Sequence, residues 1–190
     1  MENIGDIWSI HPGDDVLFQE WIKDLPNSAA MPYGLMAHSI KSLRKAVEVH
    51  KPTSILEIGF NIGRSAAMWL NLSDATLVSV DIGTQPETLQ AAKALEKQFP
   101  KRFCFLNCDS RLVYDQLKDT KFDMIFIDGD HTENGVDIDI KLGLKLGIKK
   151  FVFDDWLPEY GPGTQPAIVK NKELTVTHVC GGNIAIAVAV

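Results

Sequence analysis

The stretch SILEIGFNIGRS, residues 54–65, decides the fold class. A short apolar run is followed by two glycines and then by a helical pattern. The same alternation repeats along the chain, and the five predicted strands are residues 54–58, 76–82, 103–108, 122–128 and 150–154. Strands that alternate with helices in this way are typical of a parallel sheet with helices on both faces.

Helical patterns separate these strands, at residues 64–72, 86–99, 111–117 and 133–146. In the last of them some apolar residues recur at a spacing of two, which also fits a strand, but its length and the Gly147 stop favour a helix. Two more helical patterns, at about residues 15–25 and 34–50, precede the first strand.

The pattern changes after Trp156. Residues 157–172 are rich in proline and glycine and are predicted to form a loop. Two β-rich runs follow, at 174–180 and 183–190, and the Gly181-Gly182 pair that joins them predicts an antiparallel hairpin.

The predicted architecture is therefore a single α/β domain over residues 1–190. Its core, residues 53–190, is a Rossmann-like, doubly wound sheet of seven strands, mostly parallel with a C-terminal antiparallel hairpin, and with helices on both faces. Residues 1–52 are predicted to form a helical cover over one edge or over the site.

Composition excludes several classes of protein. Of the 190 residues 45% are hydrophobic and 23% charged, which is too apolar for a disordered chain, and no apolar run approaches the ~20 residues that cross a bilayer. A net charge of −6 without a basic cluster argues against nucleic-acid binding. No secretory signal is visible, so we expect a cytoplasmic protein.

The three cysteines, Cys104, Cys108 and Cys180, are interpreted as buried thiols.

Acidic residues and glycines mark the ends of the first three strands. In an open α/β sheet the ligand crevice lies at the carboxyl ends of the strands, where Gly59 and Gly63 let the backbone approach a ligand. The spacing is not the Gly-x-Gly-x-x-Gly of dinucleotide enzymes, and a carboxylate at Glu57 suits a cationic ligand better than a diphosphate. Asp81 is placed to accept from ribose hydroxyls, and Asp109-Ser110 from an adenine amine, although each acid also fits a helix cap.

These motifs, E-x-G-x-x-x-G-x-S, V-D and C-D-S, resemble the cofactor motifs of class I S-adenosylmethionine-dependent methyltransferases. The resemblance covers residues 54–190. It implies that Glu57, Gly59, Gly63 and Ser65 hold the methionine end of S-adenosylmethionine, Asp81 its ribose, and Asp109 with Ser110 its adenine.

A second acidic group follows strands four and five. Asp128, Asp154 and Asp155 come at the ends of adjacent parallel strands, which lie about 4.8 Å apart, so the carboxylates are expected to converge. Such a cluster is unfavourable without protons or a cation, and oxygen ligands suit Mg²⁺ or another hard divalent ion. The alternative is that one or two of these acids cap the following helices.

The cluster resembles that of the metal-dependent small-molecule O-methyltransferases, among them the catechol and caffeoyl-coenzyme A enzymes and the sugar O-methyltransferases of macrolide and aminocoumarin biosynthesis. The resemblance implies that Asp128, Asp154 and Asp155 bind the ion. His131 stands where the catechol type has a catalytic lysine, and Asp130 matches the base proposed for the sugar enzymes. Either could accept the proton from the substrate hydroxyl.

The sequence thus favours methyl transfer to a hydroxyl of a small molecule, such as a sugar, polyol or phenol. Two alternatives remain: a cofactor-binding module without turnover, and an NAD-dependent oxidoreductase, which the missing glycine motif disfavours. The covering segments are short, which indicates a small or exposed acceptor, or walls from a second subunit of a homo-oligomer. Residues 122–160 hold nine acidic and four basic residues, so most of the net negative charge lies in the segment of the proposed metal acids.

Overall fold

The computed structural model describes residues 12–26, 37–181 and 183–190. The predicted N-terminal cover lies partly outside the described residues, since residues 1–11 and 27–36 are not among them. The same holds for Gly182 of the predicted hairpin turn. In the described parts of the chain, no helix is long and apolar enough to cross a membrane.

The seven strands form one sheet in the order β3-β2-β1-β4-β5-β7-β6. Strands β1 to β5 pair in parallel, and β7 pairs antiparallel with both β5 and β6, which confirms the predicted sheet and its C-terminal hairpin. The strands are β1 Ser54–Ile58, β2 Thr76–Asp81, β3 Phe103–Asn107, β4 Met124–Ile127, β5 Lys150–Phe153, β6 Leu174–Cys180 and β7 Ile184–Ala189.

The helices are α1 Pro12–Ile22, α2 Ser39–His50, α3 Arg64–Leu72, α4 Thr88–Gln98, α5 Tyr114–Leu117, α6 Glu133–Lys145 and α7 Thr164–Lys170. Helices α3 to α6 lie in the crossovers between the parallel strands, whereas α1 and α2 precede β1 and α7 lies between β5 and β6. The ambiguous pattern at 133–146 is a helix, as predicted, and Thr132 caps it by accepting a hydrogen bond from the Gly135 N–H at 3.0 Å.

Two predictions of local structure need correction. The helix predicted at 111–117 is split into a 3₁₀ turn, Ser110–Leu112, and the short α5, because the Asp109 side chain accepts from the Arg111 N–H and starts a separate turn. The loop predicted at 157–172 contains helix α7. Pro166 is compatible with α7 because it lies in the first turn, where backbone N–H groups have no partner in the helix.

The core lies on both faces of the sheet. Alternate residues of each strand point to opposite faces, so that Phe126 packs under α3 beside Trp69, while its neighbour Ile125 packs with α6 residues such as Ile140. Because both faces of the sheet are covered, its open part is the edge at which the parallel strands end.

The interpretation of all three cysteines as buried thiols is wrong, since Cys104 is exposed on the edge strand β3.

Candidate active site

A cavity of about 1050 Å³ opens at the carboxyl ends of strands β1 to β5. Single small-molecule sites span roughly 300–1,000 Å³, so this volume has room for more than one small ligand. Ten of the twelve predicted site residues line it: Gly59, Ser65, Asp81, Asp109, Ser110, Asp128, Asp130, His131, Asp154 and Asp155. The other two, Glu57 and Gly63, are not part of its wall.

Glu57 lies in the sheet behind the cavity and is fully buried. Its Oε2 accepts a hydrogen bond from the Ser79 hydroxyl on the neighbouring strand β2. Burial raises the pKa of Glu57 to about 7, against the opposing effect of nearby serine hydroxyls. Glu57 is therefore held behind the cavity by the hydroxyl groups of Ser79 and Ser65.

The two glycines of the turn are required by the packing of the protein itself. Gly59 has φ +94°, and a Cβ there would lie 2.0 Å from the carbonyl oxygen of Asp128. Gly63 has φ +83°, and a Cβ there would lie 2.7 Å from the Phe60 ring. We expected a ligand to approach the backbone at Gly59. In the structure the end of β4 lies there instead, and it brings Asp128 next to the turn.

Asp81 ties the glycine turn to the end of β2. Its Oδ2 accepts from the backbone N–H groups of Phe60 and Asn61, each at 2.9 Å, and its Oδ1 accepts from Gly83 N–H at 2.7 Å. These bonds orient the carboxylate along the cavity wall. The ribose contact remains a prediction for the lone pairs that these bonds leave free.

The next strand end carries an ion pair rather than a single acid. Asp109 accepts from both the backbone N–H and the guanidinium of Arg111, and these hydrogen bonds lower the pKa of Asp109. Asp139, on α6, is buried beside Ser110, and burial raises its pKa to about 6. Arg111 and Asp139 both line the cavity here, and neither was predicted as a site residue.

The predicted acidic cluster does converge. Asp128 follows β4, and Asp154 and Asp155 follow β5. Burial, and then the charges of Asp154 and Asp155, raise the pKa of Asp128 well above its usual value. Burial and the charge of Asp155 raise the pKa of Asp154 to about 8. The imidazole of His131 lies between two of these acids, with Nε2 3.7 Å from Asp128 Oδ1 and Nδ1 3.4 Å from Asp155 Oδ2.

Asp130 differs from its neighbours. It is exposed at the rim of the cavity, and its Oδ1 accepts from the Thr132 N–H at 3.0 Å, immediately before α6. The acids also do not form a finished metal site: among residues 12–26, 37–181 and 183–190, no group of three His, Cys, Asp or Glu side chains is arranged to hold a metal ion as it stands.

Two further cavity residues, besides Arg111 and Asp139, were not predicted from the sequence. Asn183, in the turn between β6 and β7, donates from Nδ2 to Asp155 Oδ1 at 2.8 Å. Arg64, the first residue of α3, is only 4% exposed and lines the cavity, although the sequence analysis assigns it no role. The position of Arg64 within the glycine motif was a signal in the sequence, whereas no sequence motif marked Asn183.

A family model of a methyltransferase domain matches residues 56–150, half of the chain, from within β1 to the start of β5. The chain belongs to this family. Of the three functions raised from the sequence, the methyltransferase is the one that this match supports. A comparison of this chain with curated protein sequences found no match.

Solved structures share the fold of the methyltransferase at low sequence identity. The O-methyltransferase TomG of Streptomyces achromogenes, involved in tomaymycin synthesis and solved with SAM, is 18% identical, with a TM-score of 0.70 over 100% of this chain and 99% of its own. An O-methyltransferase from Bacillus cereus, solved with SAH, is 19% identical, with a TM-score of 0.69 over 93% and 91%. A Podospora anserina methyltransferase, also SAH-bound, is 18% identical, with a TM-score of 0.67 over 95% and 89%.

Proposed function

We propose that this methyltransferase transfers the methyl group of S-adenosylmethionine to a hydroxyl of a small molecule, and that a divalent cation, Mg²⁺ or a similar ion, assists the transfer. The observation that carries the proposal is the cluster of Asp128, Asp154 and Asp155 beside His131, in the same cavity as the glycine turn and Asp81. The family match and the SAM- or SAH-bound structures of the same fold support the choice of cofactor.

The residues at the turn fit S-adenosylmethionine. Arg64 and the N-terminus of α3 would offer positive charge for its carboxylate, and the buried Glu57 would supply negative charge for its sulfonium from behind the cavity wall. Asp81 would accept from the ribose hydroxyls, and Asp109 or Asp139 from the adenine amine. The cofactor supplies a methyl group on a sulfonium, which is activated for in-line displacement.

The acidic cluster has the oxygen donors that a hard divalent cation prefers. The pKa values of Asp128 and Asp154 are raised by burial and by neighbouring carboxylates, so ionising the cluster without a compensating charge is unfavourable. Asp128, Asp154 and Asp155 would hold the ion through oxygen ligands. When bound, the ion supplies Lewis-acid chemistry that lowers the pKa of a substrate hydroxyl.

His131 is the better placed of the two candidate bases. Its ring nitrogens lie 3.7 and 3.4 Å from Asp128 and Asp155, so the imidazole is held next to the point where the hydroxyl would bind. Asp130 is exposed at the rim and is engaged by the Thr132 N–H. We therefore propose that His131 accepts the proton and that Asp130 fixes the start of α6.

The charge of the cavity restricts the acceptor. Eight carboxylates and two guanidinium groups line it, so an acceptor carrying phosphate or carboxylate groups would be repelled. A neutral sugar, polyol or phenol fits this lining. This balance of charge supports a neutral rather than an anionic acceptor.

The test is formation of S-adenosylhomocysteine when the protein is incubated with S-adenosylmethionine, Mg²⁺ and a panel of sugars, polyols and phenols. We expect turnover that needs an acceptor, stops with EDTA and returns with Mg²⁺. Cofactor binding without turnover across the panel would favour a binding module, and turnover that EDTA leaves unchanged would refute the cation.

Variants separate the roles of the residues in the same assay. Replacing Asp154 and Asp155 together by Ala should abolish metal-dependent turnover and leave cofactor binding nearly intact. His131→Ala should lower turnover by about 10²-fold or more, the usual contribution of a general base, whereas Asp130→Ala should have a much smaller effect. If His131→Ala turned over at the wild-type rate, His131 would not be the base, and Asp130 would be the remaining candidate.

A further inference from the structure

Asn183 connects the C-terminal hairpin to the acidic cluster. It lies in the turn between β6 and β7, and its Nδ2 donates to Asp155 Oδ1 at 2.8 Å and lies 3.5 Å from Asp154 Oδ1. The Asn183 carbonyl oxygen also accepts from the Trp156 N–H at 3.0 Å. Asn183 thus contacts Asp155 through its side chain and the following residue through its backbone.

Asp155 needs such support because its backbone is strained. Its φ is +52°, a left-handed conformation that residues with a Cβ rarely adopt. A strained residue of this kind persists only where its surroundings hold it. Gly161 closes on it from another side, since a Cβ there would lie 2.4 Å from the Asp155 carbonyl oxygen and 2.6 Å from its Cβ. Asp155 is therefore held between the loop before α7 and the hairpin.

The chemistry of an amide suits this position. A neutral donor orients Asp155 without cancelling its charge, whereas a lysine would neutralise the cluster and compete with a cation. The direction of the amide follows from the acids, since the opposite orientation would place the Asn183 Oδ1 against carboxylate oxygens. That Oδ1 is buried and has no hydrogen-bond partner among the described residues, which indicates that contact with Asp155 determines how the amide is oriented.

We infer that Asn183 is a positioning residue, which holds Asp155 beside Asp154 so that the acidic cluster can bind a divalent cation. The inference rests on the proposed function, because it assumes that the cluster binds a cation. It makes the turn of the C-terminal hairpin part of the metal site, although none of the three predicted ligands comes from it. Residues that hold a metal ligand in place commonly contribute 10- to 100-fold to metal affinity.

The experiment compares Mn²⁺ binding, as a spectroscopic probe for the divalent site, in the wild-type protein and in Asn183→Leu. Leucine has nearly the shape of asparagine and no donor. The matched control is Asn71→Leu, since Asn71 also donates one side-chain hydrogen bond, to the Ala67 carbonyl at 2.8 Å, but lies on α3 away from this cavity. Mn²⁺ affinity is read by electron paramagnetic resonance, S-adenosylmethionine affinity by calorimetry, and folding by thermal unfolding.

We expect Asn183→Leu to bind Mn²⁺ at least about tenfold more weakly than the wild type, with S-adenosylmethionine affinity within about twofold, and Asn71→Leu to match the wild type in both. If Asn183→Leu does not fold, Asn183→Ala should give the same selective loss. Unchanged Mn²⁺ affinity overturns the inference and leaves the proposed function intact. If Asn183→Leu loses affinity for Mn²⁺ and for S-adenosylmethionine equally, the inference is overturned, because Asn183 then has a general structural role. A wild-type protein that binds no Mn²⁺ overturns the cation of the proposed function, and this inference with it.

Discussion

At Glu57, complete burial of the side chain opposes ionisation of its carboxyl group. The folded protein binds its proton more tightly than the unfolded chain does, because burial raises the pKa from 4.5 to about 7. Between these two pH values the folded state therefore holds more protons, and stability falls as pH rises. The side chain is fully buried, so solvent does not screen this cost.

Glu57→Gln should remove this dependence while preserving the size of the side chain. We expect the free energy of unfolding of the variant, relative to the wild type, to rise by up to about 3 kcal/mol from pH 4.5 to pH 8. Urea denaturation at several pH values measures it. The control is Glu96→Gln at an exposed position, which should follow the wild type at every pH. A difference that stays constant with pH would show that Glu57 ionises as an exposed glutamate does.

Single residues also show what the sequence can reveal about the site. Asp81, Asp109, Asp128 and Asp154 each follow an apolar run, and since parallel strands end at one edge, their approach to a common cavity was predictable. Asn183 was not, because its contact with Asp155 spans 28 residues. That contact depends on the antiparallel register of β7 on β5, which a sequence pattern alone does not specify.

At the scale of the elements, the ends of β1 and β4 meet at Gly59. An alanine Cβ at this position would lie 2.0 Å from the Asp128 carbonyl oxygen, so the two strand ends would have to separate. Gly147, after α6, offers a matched comparison because its φ of +76° is similar, but no atom of residues 12–26, 37–181 or 183–190 lies within 4 Å of its Cβ position. The two glycines therefore share the backbone strain and differ in the available space.

Gly147→Ala should cost only the left-handed strain, about 1–2 kcal/mol in the free energy of unfolding. Gly59→Ala adds a steric overlap and should cost at least about 3 kcal/mol, together with turnover, because the displaced strand end carries Asp128. Chemical denaturation of both variants measures the difference. Equal costs would mean that the strand ends separate freely and that packing does not require a glycine at this position.

The elements differ in how far the sequence specifies them. Strands β1 to β5 follow their hydrophobic runs to within one or two residues at each end, because apolar runs between turn signals have few alternatives in a buried sheet. Helix α7 was hidden because Pro166 and nearby glycines are typical of a loop, and only tertiary packing, with Ala167 and Ile168 buried, makes this segment helical. Asp109 likewise divided one predicted helix into two through a single side-chain hydrogen bond.

At the scale of the molecule, the parallel topology gathers negative charge at one edge. Four carboxyls of this region have raised pKa values, all with burial as the main cause: Glu57, Asp128, Asp139 and Asp154. Each therefore destabilises the folded state as pH rises toward its folded pKa. Burial lowers the pKa values of His38 and His50, which act in the opposite direction but only below about pH 6.5. The carboxyls thus dominate between pH 6.5 and 8.

In EDTA the whole protein should lose stability across this window. With the pKa of Asp154 at about 8, the loss is about 2 kcal/mol from pH 6.5 to 8, a fall in Tm of roughly 5 °C for a domain of this size. Millimolar Mg²⁺ should reverse the trend, because the cation binds the ionised carboxylates and its stabilisation grows as they deprotonate. Thermal unfolding across the pH range, with and without Mg²⁺, measures both slopes. Asp154→Asn should reduce the slope in EDTA, leaving the contributions of Glu57 and Asp128, and should remove the effect of Mg²⁺. Parallel slopes in EDTA and Mg²⁺ would refute a cation site at these acids, and a flat slope in EDTA would refute the raised pKa values on which it depends.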